Sequence, residues 1–164
     1  MAVRPFVPWP DQRLRTKAKP VETLSDEIHA LWADMIETMY AMPGVGLAAP
    51  QIGVDLRVCV VDCSQKNDQP LRIADPEILH SSEKPSTEVE GSPNLPGISA
   101  KITRPRGVTV SYIDHFGFRV RKDFVGLWAT SIQHQIDHLN GKMFFDNLSR
   151  TKREMLLKKA RKAR

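Results

Sequence analysis

The stretch SIQHQIDHLNG, residues 131–141, places His134 and His138 four residues apart. On a helix that spacing projects both imidazoles from one face toward a common point, the geometry a two-histidine metal site needs. In the pattern His-Glu-x-x-His the glutamate moves protons for the metal. Here that position holds Gln135, an amide that hydrogen-bonds but takes up no proton. The same spacing is met by a helix whose polar shoulder holds two hydrogen-bonded histidines. Asp137 is an outer partner orienting a ring or a surface acid.

Working outward, Trp128, Ile132, Ile136 and Leu139 extend an apolar stripe from Phe124, and Gly141 is placed to stop the chain. The spacing predicts a helix over 124–140. A second helix is predicted over 25–42, where Ile28, Leu31, Trp32, Met35, Ile36 and Met39 recur at three and four. Ser25 can cap it, and Asp26 and Glu27 suit its first turn. A third begins near Lys152. Residues 56–62 read as a strand, and residues 108–124 as a hairpin turning at Asp114 to Gly117. From Leu71 to Tyr112, repeated prolines predict short extended pieces. The order points to one α+β domain spanning 1–164 rather than a parallel α/β sheet.

A chain of 164 residues, 41% hydrophobic and 26% charged, can bury a core without staples. No apolar run reaches the length of a membrane span. The N-terminal MAVRPFVPWPDQRLR lacks the apolar centre of a secretory signal, and its prolines oppose a transit helix. A cytoplasmic location is expected. Cys59 and Cys63, the two cysteines, support neither a disulfide framework nor a zinc ribbon. On a strand their four-residue spacing sets them about 13 Å apart.

The net charge of +5 is uneven. Residues 149–164 sum to +7, leaving residues 1–148 at −2. This tail reads as a solvated helix end with cations near the negative pole of the dipole, or as a surface for phosphates. Attachment to a membrane surface is a further reading, although the apolar face is small. Without interleaved aromatics, neither DNA readout nor sequence-specific RNA reading is indicated.

Two further segments bear chemistry. PGVGLAAPQIG, residues 43–53, combines low surface at Gly44, Gly46, Ala48 and Ala49 with an amide donor at Gln51, suited to a developing oxyanion. The same segment could be a tight turn in which Gln51 satisfies the backbone. VEGSPNLPGI, residues 89–98, reads as an irregular loop.

Taken in order, the three segments resemble the peptide deformylase family, metallohydrolases that remove the N-formyl group from nascent bacterial proteins. Gly44 through Gln51 match that family's Gly-x-Gly-Leu-Ala-Ala-x-Gln stretch. Gln133 through Leu139 match its Gln-His-Glu-x-Asp-His-Leu helix at all positions but Gln135. PDQRLR at 10–15, ITRP at 102–105 and DNLS at 146–149 agree as well.

The resemblance implies antiparallel sheets around the histidine helix. It also implies a divalent zinc, iron or nickel ion, a peptide N-terminus pocket at Gly46, Gln51 and Leu95, and a bracing pair, Glu90 and Arg104. His134 and His138 stand at the family's metal-ligand positions. Glu90-Gly91 and Pro96-Gly97 set the middle register, in which the family's cysteine ligand is Ser92, its leucine Pro93 and its serine Asn94. A neutral hydroxyl replaces a thiolate at Ser92. Pro93 has no N–H to lend to an oxyanion, and Gln135 cannot shuttle a proton.

All three changes bear on one reaction. The expectation is a deformylase-like chain that keeps the pocket, with a degenerate metal site and without ordinary deformylase chemistry. The alternatives are an active hydrolase of formyl-methionyl peptides with rearranged ligands, and an adaptor whose basic C-terminal helix (about 150–164) docks on ribosomal RNA.

Overall fold

A computed structural model describes residues 2–163. The first long helix, α1 (Asp26–Ala41), starts where the sequence caps it: the Ser25 hydroxyl accepts from the Ile28 N–H. Its buried face, Ile28, Leu31, Trp32, Met35 and Met39, packs on one side of a five-stranded antiparallel sheet. The strands are β1 (Gly46–Ala48), β2 (Val58–Val61), β3 (Leu71–Ser81), β6 (Gly107–Ile113) and β7 (Arg119–Val125), adjacent in that order. A separate hairpin joins β4 (Pro85–Gly91) to β5 (Ser99–Pro105).

Helix α2 (Gly126–Leu139) packs against the other face of the large sheet, with Ala129, Ile132, Ile136 and Leu139 among Cys59, Val61, Ile73, Val108 and Val110. Ten of its fourteen residues are buried. A helix enclosed on nearly all sides sits in the core rather than on it, and so its polar side chains must find partners inside the protein. Its end is fixed by Gly141, at φ +75°, where a Cβ would lie 2.6 Å from the Arg15 carbonyl oxygen. Helix α3 (Arg150–Lys162) lies on a third apolar cluster through Ala160, Leu156 and Leu157.

Three expectations shift. Phe124 belongs to β7, not to the helix, because it satisfies the strand's alternation and its apolar side chain is buried either way. The proline-rich middle contains long strands. Pro76 falls at a register shift in β3, while Pro85 and Pro105 face each other at the ends of the β4–β5 hairpin, places where a missing N–H costs little. The third helix starts at Arg150, and Arg164 of the basic tail lies outside the described residues. No helix among the described residues is long and apolar enough to cross a membrane.

Candidate active site

Three elements converge on one cavity of about 400 Å³. The first is the turn after β1. Residues Ala49–Ile52 form a single 3-10 turn, and the Gln51 side chain reaches back so that its Oε1 accepts from the Ala48 N–H at 2.9 Å. Gln51 thus satisfies a backbone donor, as the turn reading has it, and its amide nitrogen donates to Ser92 and Asn94 at the cavity wall. Gly46 lies under Gln135, where a Cβ would meet Gln135 Nε2 at 2.4 Å.

The second element is the end of β4 and the loop after it. Glu90 and Arg104 are both 6% exposed and form a two-pronged ion pair, Nε to Oε2 at 2.7 Å and Nη2 to Oε1 at 2.9 Å. The third Arg104 nitrogen, Nη1, donates to Asp137 Oδ2 at 2.9 Å, and Asn147 donates to the same oxygen at 3.2 Å. Asp137 therefore grips the arginine and touches no imidazole directly. Burial alone would raise the Glu90 carboxyl, but its bonds to His134 and Arg104 outweigh that and hold it below the usual range.

The third element is α2. His134 Nδ1 lies 2.8 Å from Glu90 Oε1, and the ring stacks 6.2 Å from Phe144. A carboxylate at Nδ1 fixes the tautomer and leaves Nε2 with its lone pair facing the site. The Nε2 atoms of His134 and His138 converge at 3.1 Å. Burial, with the proximity of His134 and the charge of Arg104 adding to it, pushes His138 well below the ordinary histidine value and keeps it neutral. Its Nδ1 is buried and has no hydrogen-bond partner among the described residues.

Two imidazole nitrogens meeting at one point fit a divalent cation, with Glu90 as the orienting carboxylate. The third protein ligand is weaker. Among the described residues no third histidine, cysteine or acid completes the group. Ser92 Oγ is occupied, donating to Asn94 Oδ1 at 2.9 Å and accepting from Gln51 Nε2 at 3.3 Å. Neither cysteine substitutes for it. Both are free thiols, and burial pushes each up to about 12, far from ionising at neutral pH.

Gln135 is 4% exposed, and its buried Oε1 has no partner among the described residues. Pro93 lines the cavity, with no N–H to offer. Met42, Val45, Val89 and Leu127 form its apolar mouth, the last three well exposed. Leu95, expected in the pocket, is not on its wall; it packs with Val7, Leu14, Ile98 and Met143. The loop turns at Asn94, and Leu95 follows the apolar drive inward while Pro93, Pro96 and Gly97 face the cavity.

Sequence reading missed Phe144 behind His134 and the part played by Asn94. Phe144 gave no signal beyond being apolar. Asn94 stood out only as an amide in a Pro- and Gly-bounded loop.

The polypeptide deformylase family model matches residues 3–154. A peptide deformylase of Methylocella silvestris is 46% identical, the match covering 99% of this chain and 86% of that one. One from Rhizorhabdus wittichii is 44% identical, covering 100% and 97%. Among solved structures, a peptide deformylase from Legionella pneumophila superimposes with a TM-score of 0.91 at 43% identity, covering 98% of this chain and 95% of that one. One from Ehrlichia chaffeensis in complex with actinonin gives 0.92 at 36%, covering 99% and 98%.

These findings correct the expectation of a chain without ordinary deformylase chemistry, and with it the reading of a degenerate metal site. Full-length relatives at such identity carry the deformylase name, and the whole fold superimposes on deformylases. The expectation gave three side chains more weight than the rest of the chain. Ser92, Pro93 and Gln135 describe how this site is built.

Proposed function

We propose, from the premise that this chain belongs to the polypeptide deformylase family, that it hydrolyses the formamide at the N-terminus of formylated peptides in the cytoplasm. The observation that carries the reading is the cavity itself. An apolar mouth suited to a methionine-like side chain leads to Gln51, His134 and Gln135, and His138 lies behind this wall with its Nε2 3.1 Å from that of His134.

His134 and His138 are the residues that would hold a divalent zinc, iron or nickel ion. Such an ion supplies Lewis-acid polarisation and a nucleophile at neutral pH. The protein's own groups do the rest. Glu90 orients His134 through Nδ1. Gln51 Nε2 is the oxyanion donor, and its 3.3 Å bond to Ser92 is the weaker of its two, the one a substrate oxygen displaces. Gln135 Oε1 accepts from an N–H or O–H in the pocket and fills a need the protein leaves open. An amide takes up no proton at neutral pH, so the proton reaching the leaving amine travels through solvent at the open mouth.

Helix α3 supports a proposal about location. Lys152, Lys158, Lys159, Arg161 and Lys162 are exposed along it, a surface suited to ribosomal RNA phosphates. The enzymatic reading is tested by offering N-formyl- and N-acetyl-methionyl peptides to the metal-loaded protein. Formate release without acetate release is expected, and equal indifference to both peptides would reject it.

A further inference from the structure

Asn94 ties the site to the N-terminal segment. All four hydrogen-bonding positions of its side chain are used. Oδ1 accepts from Gln51 Nε2 at 2.8 Å and from Ser92 Oγ at 2.9 Å. Nδ2 donates to the Val7 carbonyl at 2.6 Å and to the Gln51 carbonyl at 2.9 Å. The backbone repeats the link, Trp9 N–H to Asn94 O and Val7 N–H to Gln51 O, both at 2.9 Å. Upstream, the segment is pinned to α1 by the Arg4 side chain on Asp34 and the Arg4 N–H on Thr38. Asn94 is 2% exposed and Gln51 1%.

We propose that Asn94 is a positioning residue that aims the Gln51 amide into the cavity and couples that aim to the N-terminal segment. Making all four of these contacts at once takes an asparagine. Serine cannot reach two carbonyls and accept twice, and aspartate keeps the acceptor while setting an oxygen against the Val7 and Gln51 carbonyls. Because Gln51 Oε1 is already fixed by Ala48, the Asn94 contact removes the last freedom of its nitrogen. The inference rests on the deformylase reading for its kinetic consequence only.

The experiment combines amide NMR with kinetics on the full chain. In the unaltered protein the Gln51 side-chain NH2 shows slowed hydrogen exchange; in Asn94→Ala that protection falls by about tenfold or more. Asn94→Asp does the same. Arg4→Ala, on a side chain 37% exposed, leaves the site residues in place and lowers protection by about fivefold, the weight of one net hydrogen bond.

Asn94→Ala also lowers kcat/KM by about 100-fold, the effect of a misplaced donor, and that loss disappears when Gln51 is already alanine. A merely structural Asn94 would add its loss to the Gln51 variant's instead. Unchanged Gln51 exchange in a folded Asn94 variant overturns the proposal, and unchanged exchange in Arg4→Ala overturns the coupling. Absence of turnover in the unaltered protein rejects the deformylase reading and leaves the NMR comparison to decide this one.

Discussion

Replacing Glu90 with glutamine tests how much of the site's architecture rests on one buried carboxylate. The change removes the charge and leaves the volume. In the native protein the carboxylate accepts from Arg104 Nε, Arg104 Nη2 and His134 Nδ1, all within 2.9 Å. Glutamine keeps one acceptor and turns an NH2 toward donors. Arg104, 6% exposed, is left with Asp137, whose side chain is 21% exposed and so better screened by water. Leaving a buried charge without its partner costs about 3–5 kcal/mol.

For a domain of this size, where each kcal/mol moves Tm by about 2–4 °C, that is a fall of about 6–20 °C. Calorimetry and urea unfolding at neutral pH measure it. The double variant Glu90→Gln with Arg104→Met should recover most of the loss, because a neutral packed pair is close to the ion pair in net stability. A loss below about 1 kcal/mol in the single variant, the range of an exposed ion pair, would refute the account of the brace.

Gln135→Glu should raise kcat/KM for a formyl-methionyl peptide by about 100- to 10,000-fold, since it adds a carboxylate base. No gain would show that proton transfer does not limit the reaction. Asp62 accepts from Tyr40, Ser64 and Gln69; burial acts to raise its pKa, but these bonds hold it below the usual value. Its stabilisation is therefore present above about pH 4 and is lost as pH falls through the lower folded value. Asp62→Asn should be the less stable at pH 7, with the difference closing below about pH 4 in urea titrations. Changing the exposed α3 cations Lys152, Lys158, Lys159, Arg161 and Lys162 to serine should abolish salt-sensitive ribosome sedimentation, with turnover of free peptide unaltered.

Sequence alone revealed the elements whose signals are local. The three-and-four spacing of α1, the histidine pair of α2 and the turn at Asp114 need no knowledge of the rest of the chain. Phe124 was ambiguous because β7 runs directly into α2, and one apolar residue fits both periods. Leu95 and Asn94 were beyond reach for a different reason. Which loop residue turns inward depends on Val7 and Met143, distant in sequence, and on a carbonyl at residue 7 that no pattern marks.

The functional misreading has the same physical root. Ser92, Pro93 and Gln135 were weighed by what each side chain can do in isolation. The resemblance named the Glu90–Arg104 pair, but the hold of Asp137 on that arginine and the apolar mouth at Val45, Val89 and Leu127 were not visible from that viewpoint.

The measurement closest to the central claim is formate release from an N-formyl-methionyl peptide by the full chain loaded in turn with zinc, iron and nickel, beside its Gln51→Ala variant. The account predicts turnover with at least one metal and a loss of about 100- to 1000-fold without the Gln51 donor. No formate release with any of the three, from a protein whose His134 and His138 resonances shift on metal addition, would contradict it.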